Sequence, residues 1–386
     1  MNLPSLPLVL AALMLVIFAV LSIPAYQGGA AAALIASPGA ARCSLRFERY
    51  EPSALEQDWA AHVAALPRES LATRSFCADC VTPAFRERLQ YWVSAGSRQN
   101  REQPLTSAAQ AAASAELAAR DDVFSRLVYR DSCTGEHSEA RVAPLAGLLR
   151  DPRGPCMYAN DAAFTAAPLL PELLDLQPKD TVIVDPAHVT DAARRLAAAR
   201  AAGRAPKAIL MDMGASNYNL AGSSLTNEWP GTRWLVERYR GMGINFTDIY
   251  AWELGAKPGM EFFEGMPMDV FVTTHFYNFA VSSEPGPGNP LTVLKQVARP
   301  GDFVVFKLDI DVGTIESALV RDLLEDEEAL ALITDFYYEL HYRGTDMHIF
   351  WRYSLVPESP NLAGATEVFR MLREKGLKAQ MCSWSV

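Results

Sequence analysis

Hydrophobic positions divide this chain into three stretches with different periods. The first is an unbroken apolar run from Leu8 to Ile23, LVLAALMLVIFAVLSI, inside a terminus with no charged side chain before Arg42. The run is slightly shorter than the ~20 residues that span a bilayer as a helix, and it lengthens when Leu6 to Tyr26 is counted. A cleaved signal peptide would carry a basic region ahead of the run, and none is present. The expectation is therefore a signal anchor and linker over residues 1–42, with a cleaved signal as the alternative. Arg42 and Arg46 are the first basic residues, and on the positive-inside rule they favour the opposite orientation.

Residues 43–178 read as a smaller mixed region. Ser53-Ala-Leu-Glu56 has capping-box spacing, and Leu55, Trp59, Val63 and Leu66 follow at helical intervals before Pro67. Thr106 to Arg120 is Ala-rich and helix-prone, and Phe124 to Tyr129 suits a strand. Ala143 to Cys156 is a Pro/Gly loop holding Arg150, Asp151 and Arg153, placed either over an active site or as a plain connector.

From residue 179 to the end, short apolar runs alternate with amphipathic stretches, the mark of a parallel α/β domain. Thr181–Val184 is β-branched, and Thr190 is the expected cap of a helix ending near Gly203. Ala208 to Met211 then reads as a strand buried on both faces. Trp234, Leu235, Tyr239 and Met242 share one helical side, and Ile244–Trp252 reads as the next strand, ending at Glu253. Asp302–Leu308 is another buried strand, and Ile315, Leu319, Val320 and Leu323 make a helical face. Ile333–Tyr342 reads as a strand carrying Glu339 and His341. Leu362, Ala365, Phe369 and Leu372 mark a helix closed by Gly376, before a last strand at Ala379–Trp384. The fold class is α/β and Rossmann-like, with a mainly parallel sheet flanked by helices.

Composition changes the picture in two ways. A formal net charge of −10 and a pI near 5.2 over 386 residues, with no Lys/Arg-rich run, argue against a nucleic-acid partner. The six cysteines suit an oxidising compartment. Cys77-Ala-Asp-Cys80 is a lone pair without a second pair at zinc spacing, so no metal site is expected, and Cys133 with Cys156 is the preferred disulfide.

The candidate chemistry sits where strands leave the sheet. Asp212 and Gly214 follow the central run, where open α/β sheets bind ligands. At three places the chain resembles the FkbM-type S-adenosylmethionine-dependent methyltransferases, over roughly Ala208 to Glu339. Leu210-Met-Asp-Met-Gly-Ala215 is similar to the family's first strand and acidic-Gly turn. Tyr250-Ala-Trp-Glu253 is similar to its second strand ending in an acid. Phe306-Lys-Leu-Asp-Ile-Asp311, with Glu316 beyond, resembles its Lys-hydrophobic-Asp-hydrophobic-acid motif.

The resemblance implies O-methylation of a hydroxyl, on a sugar or glycan, with S-adenosylmethionine as cofactor. Asp212, Gly214, Ser216 and Glu253 would bind the cofactor, the glycine by admitting its methionine part and Glu253 by accepting hydrogen bonds from ribose hydroxyls. Asp309, Asp311 and His275 are the catalytic candidates, although His275, like His341, reads as structural more readily than as catalytic. Each acid also has a plain alternative role as a turn or helix cap. Tyr218 and Asn219 stand where the family tends to carry another glycine. That leaves a non-catalytic, membrane-tethered domain of the same fold as a second reading. A glycosyltransferase-like enzyme, with Asp309-Ile-Asp311 as its paired acids, is a third. The expected location is a single-pass protein of the secretory pathway, the Golgi favoured, with the body lumenal.

Overall fold

The structure, a computed structural model, describes residues 45–65, 82–101, 106–132, 134–145, 182–219, 231–255, 259–342, 360 and 362–381. The expected anchor over residues 6–26, all six cysteines and residues 146–181 lie outside these. Among the described residues no helix is long and apolar enough to cross a membrane. Residues 43–386 form one compact unit, so the mixed region and the α/β domain share a body.

Strands β1 (Leu45–Glu51), β2 (Ser125–Asp131) and β3 (His137–Val142) make a small antiparallel sheet. Helices α1 (Ala54–Ala65), α2 (Pro83–Arg101) and α3 (Ser107–Ala118) accompany it. At α1 the Ser53 hydroxyl accepts from the Glu56 N–H at 3.2 Å, half of a capping box. Glu56 does not reciprocate, because its buried carboxylate is taken by other donors. Tyr50 Oη, Ser125 Oγ, the Leu145 N–H and Arg373 Nη1 lie 2.5, 2.7, 2.9 and 3.2 Å from it. Arg373 also donates to the carbonyls of Ala379 and Ala143, so one buried ion pair clasps the small sheet to the last helix.

The larger sheet has six strands in the order β6-β5-β4-β7-β8-β9, with every neighbouring pair parallel. They are β4 (Ala208–Met213), β5 (Asp248–Trp252), β6 (Thr274–Tyr277), β7 (Phe303–Leu308), β8 (Asp335–Tyr338) and β9 (Lys378–Met381). This is the strand order of doubly wound dinucleotide-binding sheets, whose ligand crevice lies at the carboxyl ends beside the first strand. The connecting helices are α4 (Pro186–Ala201), α5 (Gly231–Gly241), the single turns α6 (Gly259–Phe262) and α7 (Met268–Phe271), α8 (Pro290–Val297), α9 (Gly313–Glu325), α10 (Glu327–Leu332) and α11 (Leu362–Glu374).

Every residue of β4 and β7 is buried, because helices cover both faces. Strand alternation sorts the side chains between two cores. Ile209, Met211, Met213, Val304, Phe306 and Leu308 join one cluster, and Leu210, Phe303 and Val305 join the other with Trp234, Leu235 and Tyr239. The second face is also the one to which Asp212 and Lys307 belong by parity.

Several boundaries differ from expectation. Val182–Val184 is buried but runs as loop, not strand. Asp185, not Thr190, caps α4, its carboxylate accepting from the Ala187 N–H with Pro186 in the first turn; Thr190 lies inside the helix. The strands expected over Ile244–Trp252 and Ile333–Tyr342 shorten to β5 and β8, because only their later and earlier residues, respectively, find a parallel partner.

Candidate functional site

The exits of β4, β5 and β7 meet at the carboxyl edge of the sheet. Gly214 leaves β4 with φ +80°, and its N–H and that of Ala215 both donate to the Trp252 carbonyl at 3.0 Å. A Cβ at Gly214 would lie 1.6 Å from the Asp309 carbonyl oxygen. The glycine is therefore demanded by the close approach of the β7 exit, a packing reason different from room for a ligand. Ser216 follows at φ 54°, and its N–H donates to Glu253 Oε2 at 2.8 Å. Glu253, half-buried past β5, thus spends one oxygen fixing the loop, and among the described residues Oε1 has no donor.

Among the described residues, Ser216 and Asp311 are the two non-glycine residues at positive φ. Both sit on this edge. Side chains other than glycine adopt that backbone at a cost, and such positions collect at functional sites.

Asp212 and Lys307 are directly opposite in the β4–β7 register. Lys307 Nζ lies 2.9 Å from Asp212 Oδ1 and 3.4 Å from Asp309 Oδ2, and donates to the Gly214 carbonyl at 3.0 Å. Thr232 Oγ1 donates to the other Asp212 oxygen at 2.6 Å. Asp212 is fully buried with both oxygens engaged, so it orients Lys307 and the turn. Burial raises the Asp309 carboxyl to about 6, with Lys307 opposing the rise and Asp311 and Glu316 adding to it.

A second polar chain stands beside the first. Asp311 Oδ1, part-exposed, is 2.9 Å from Nε2 of the buried His341, whose Nδ1 is 3.3 Å from Glu316 Oε2. Glu316 Oε1 accepts from the Ile310 N–H at 2.9 Å. Burial alone would disfavour the charged ring, but the contacts with Asp311 and Glu316 outweigh it and raise His341 to about 9. Among the described residues no group of side chains is arranged to hold a metal.

The structure thus brings Asp212, Gly214, Ser216, Glu253, Asp309 and Asp311 to one edge and leaves His275 out. His275 pairs in register with Tyr250, stacks on its ring at 4.7 Å and faces Asp248 at 3.7 Å. That level is three residues before Glu253, roughly 10 Å along the strand at about 3.3 Å per residue. His275 lies at mid-strand with its ring beside Asp248, and so is not among the side chains gathered at this edge. Sequence reasoning under-read Lys307, His341 and Thr232. A lysine ending an apolar run resembles a surface charge, and only the register with Asp212 shows its burial. His341 is signalled by its place just past a strand, at the level of the other exits.

Tyr218 is buried in the core cluster that includes Trp234 and Val270, so its bulk is accounted for by packing. Leu254, Phe279 and Val312 are exposed just past β5, β6 and β7. No family model, no curated protein and no solved structure matches the chain.

Proposed function

We propose that the chain is an S-adenosylmethionine-dependent methyltransferase acting on a hydroxyl, on a sugar or glycan, in the secretory pathway. Residues 6–26 tether it to the membrane with the body lumenal, the Golgi being the favoured compartment. The observation that carries the chemistry is the meeting of Glu253, the strained Ser216 loop, Asp309 and Asp311 at one sheet edge. Glu253 Oε1 and the loop at Ser216 would hold the cofactor, an acceptor at the second strand end suiting ribose hydroxyls. The cofactor supplies an electrophilic methyl group on a sulfonium.

The chain's own part is to orient and to take a proton. Asp309, poised near 6, is matched to accepting a hydroxyl proton at neutral pH. Lys307 limits how far burial lifts that carboxyl, and Asp212 holds Lys307 in place. Phe279, exposed past β6, offers an apolar face to the C–H side of a sugar ring.

Calorimetric titration with S-adenosylhomocysteine tests the reading. Binding is expected below millimolar ligand. Glu253→Ala should weaken it about tenfold, since one charge-assisted hydrogen bond is worth roughly 1.5–3 kcal/mol and ~1.4 kcal/mol is one decade. No binding by wild-type protein at millimolar ligand overturns it.

A further inference from the structure

We propose that His341 is a positioning residue, clamped between Glu316 and Asp311 so that the Asp311 carboxylate is held at the crevice mouth to receive the acceptor's hydroxyl. This rests on reading the carboxyl edge as the reacting site. Three constraints converge on Asp311. Its side chain is tied through His341 Nε2 at 2.9 Å. Its preceding residue is tied through the Ile310 N–H to Glu316 Oε1 at 2.9 Å. The other oxygen of that same Glu316 holds the far ring nitrogen at 3.3 Å. One buried acid therefore fixes both the backbone before Asp311 and the ring that grips its carboxylate.

The arrangement exceeds what a core needs. His341 and Glu316, both fully buried, already form a buried pair of opposite charge. Yet the second nitrogen, without a hydrogen bond among the described residues, lies in ion-pair contact at 2.9 Å with a carboxylate 42% exposed on a left-handed non-glycine backbone. Such a conformation persists only where its surroundings over-determine it. A reacting group oriented by an imidazole that is in turn oriented by a buried acid is the general layout of activated sites. The two aspartates thereby divide the work. Asp311, gripped by a cationic ring, orients the hydroxyl, and Asp309 beside Lys307 takes its proton. Among the described residues, the charged groups that act on the ring are Asp311 and Asp309 past β7 and Glu316 on α9.

The test is nitrogen-15 NMR of the ring nitrogens in the full-length chain, with His341→Gln assigning the signal. Both nitrogens should be protonated at pH 7.5, with a titration midpoint near pH 9. Asp311→Asn, an exposed change compatible with folding, should lower that midpoint by at least one unit. It should also leave S-adenosylhomocysteine affinity within twofold of wild type, because Asp311 serves the acceptor side. A neutral ring at pH 7.5, a midpoint indifferent to Asp311→Asn, or a tenfold loss of S-adenosylhomocysteine affinity in that variant overturns the inference. Wild-type protein that binds no S-adenosylhomocysteine instead removes the methyltransferase reading itself, whatever the ring does.

Discussion

Replacing Lys307 with methionine isolates the energetics of the candidate site. In the native fold its ammonium, 1% exposed, neutralises Asp212, 0% exposed, across 2.9 Å and satisfies the Gly214 carbonyl at 3.0 Å. Methionine fills most of the stem's volume, so little cavity energy enters. What is lost is the charged partner of a buried carboxylate, which among the described residues then keeps the Thr232 hydroxyl at 2.6 Å. Removing one member of a buried pair costs about 3–5 kcal/mol. At about 2 °C per kcal/mol, the value for larger domains, Tm should fall by roughly 6–10 °C. Asp212→Asn with Lys307→Met removes both charges and should recover at least half of that loss, the signature of a coupled pair. Thermal unfolding of the four proteins of the cycle by circular dichroism reads both quantities. A single variant within about 1 kcal/mol of wild type, or a double variant as unstable as the sum of the singles, would refute the buried-pair reasoning.

Other consequences are equally direct. Gly214→Ala, whose Cβ would meet the Asp309 oxygen at 1.6 Å, should cost far more than Gly301→Ala, which has positive φ but open space. Melting curves should separate that pair by several degrees, the second losing only about 1 kcal/mol. Stability should fall in two pH windows, because both shifted groups bind their protons more tightly when folded. Asp309, raised from 3.8 to about 6, favours the folded state below pH 4, and that contribution is lost as pH rises through 6. His341, raised from 6.5 to about 9, contributes on the order of 3 kcal/mol that is present below pH 6.5 and lost as pH rises through 9. His341→Gln should flatten the alkaline limb in urea titrations run across pH. Glu56→Ala strands the buried Arg373 and should cost about 3–5 kcal/mol, measurable as a lowered denaturation midpoint.

The parallel sheet was legible because its strands are buried on both faces, so Ala208–Met213 and Phe303–Leu308 read as continuous apolar runs. The acids at their ends were legible for the same reason, since a charge closing such a run marks a strand exit. What sequence reasoning could not see is set by pairing across distance. β1 and β3, LRFERYE and HSEARV, carry charges that find partners across the small sheet, as in Arg126 with Glu51 and Arg130 with Glu48. His275 attracts attention among aromatic residues, yet the short β6 places it level with Tyr250 instead of Glu253. The role of Gly214 is likewise hidden, because the atom that excludes a side chain there belongs to residue 309.

The clasp between Glu56 and Arg373 sets a schedule for synthesis. Its two halves are 317 positions apart along the chain. At about 5–20 residues per second, a ribosome needs roughly 15–60 s to deliver the arginine after the glutamate has emerged. Through that interval the amino-terminal module holds a carboxylate meant for burial, and the edge of its small sheet lacks the helix that comes last. A messenger truncated before residue 373 would therefore yield a module that cannot close, a direct substrate for quality control.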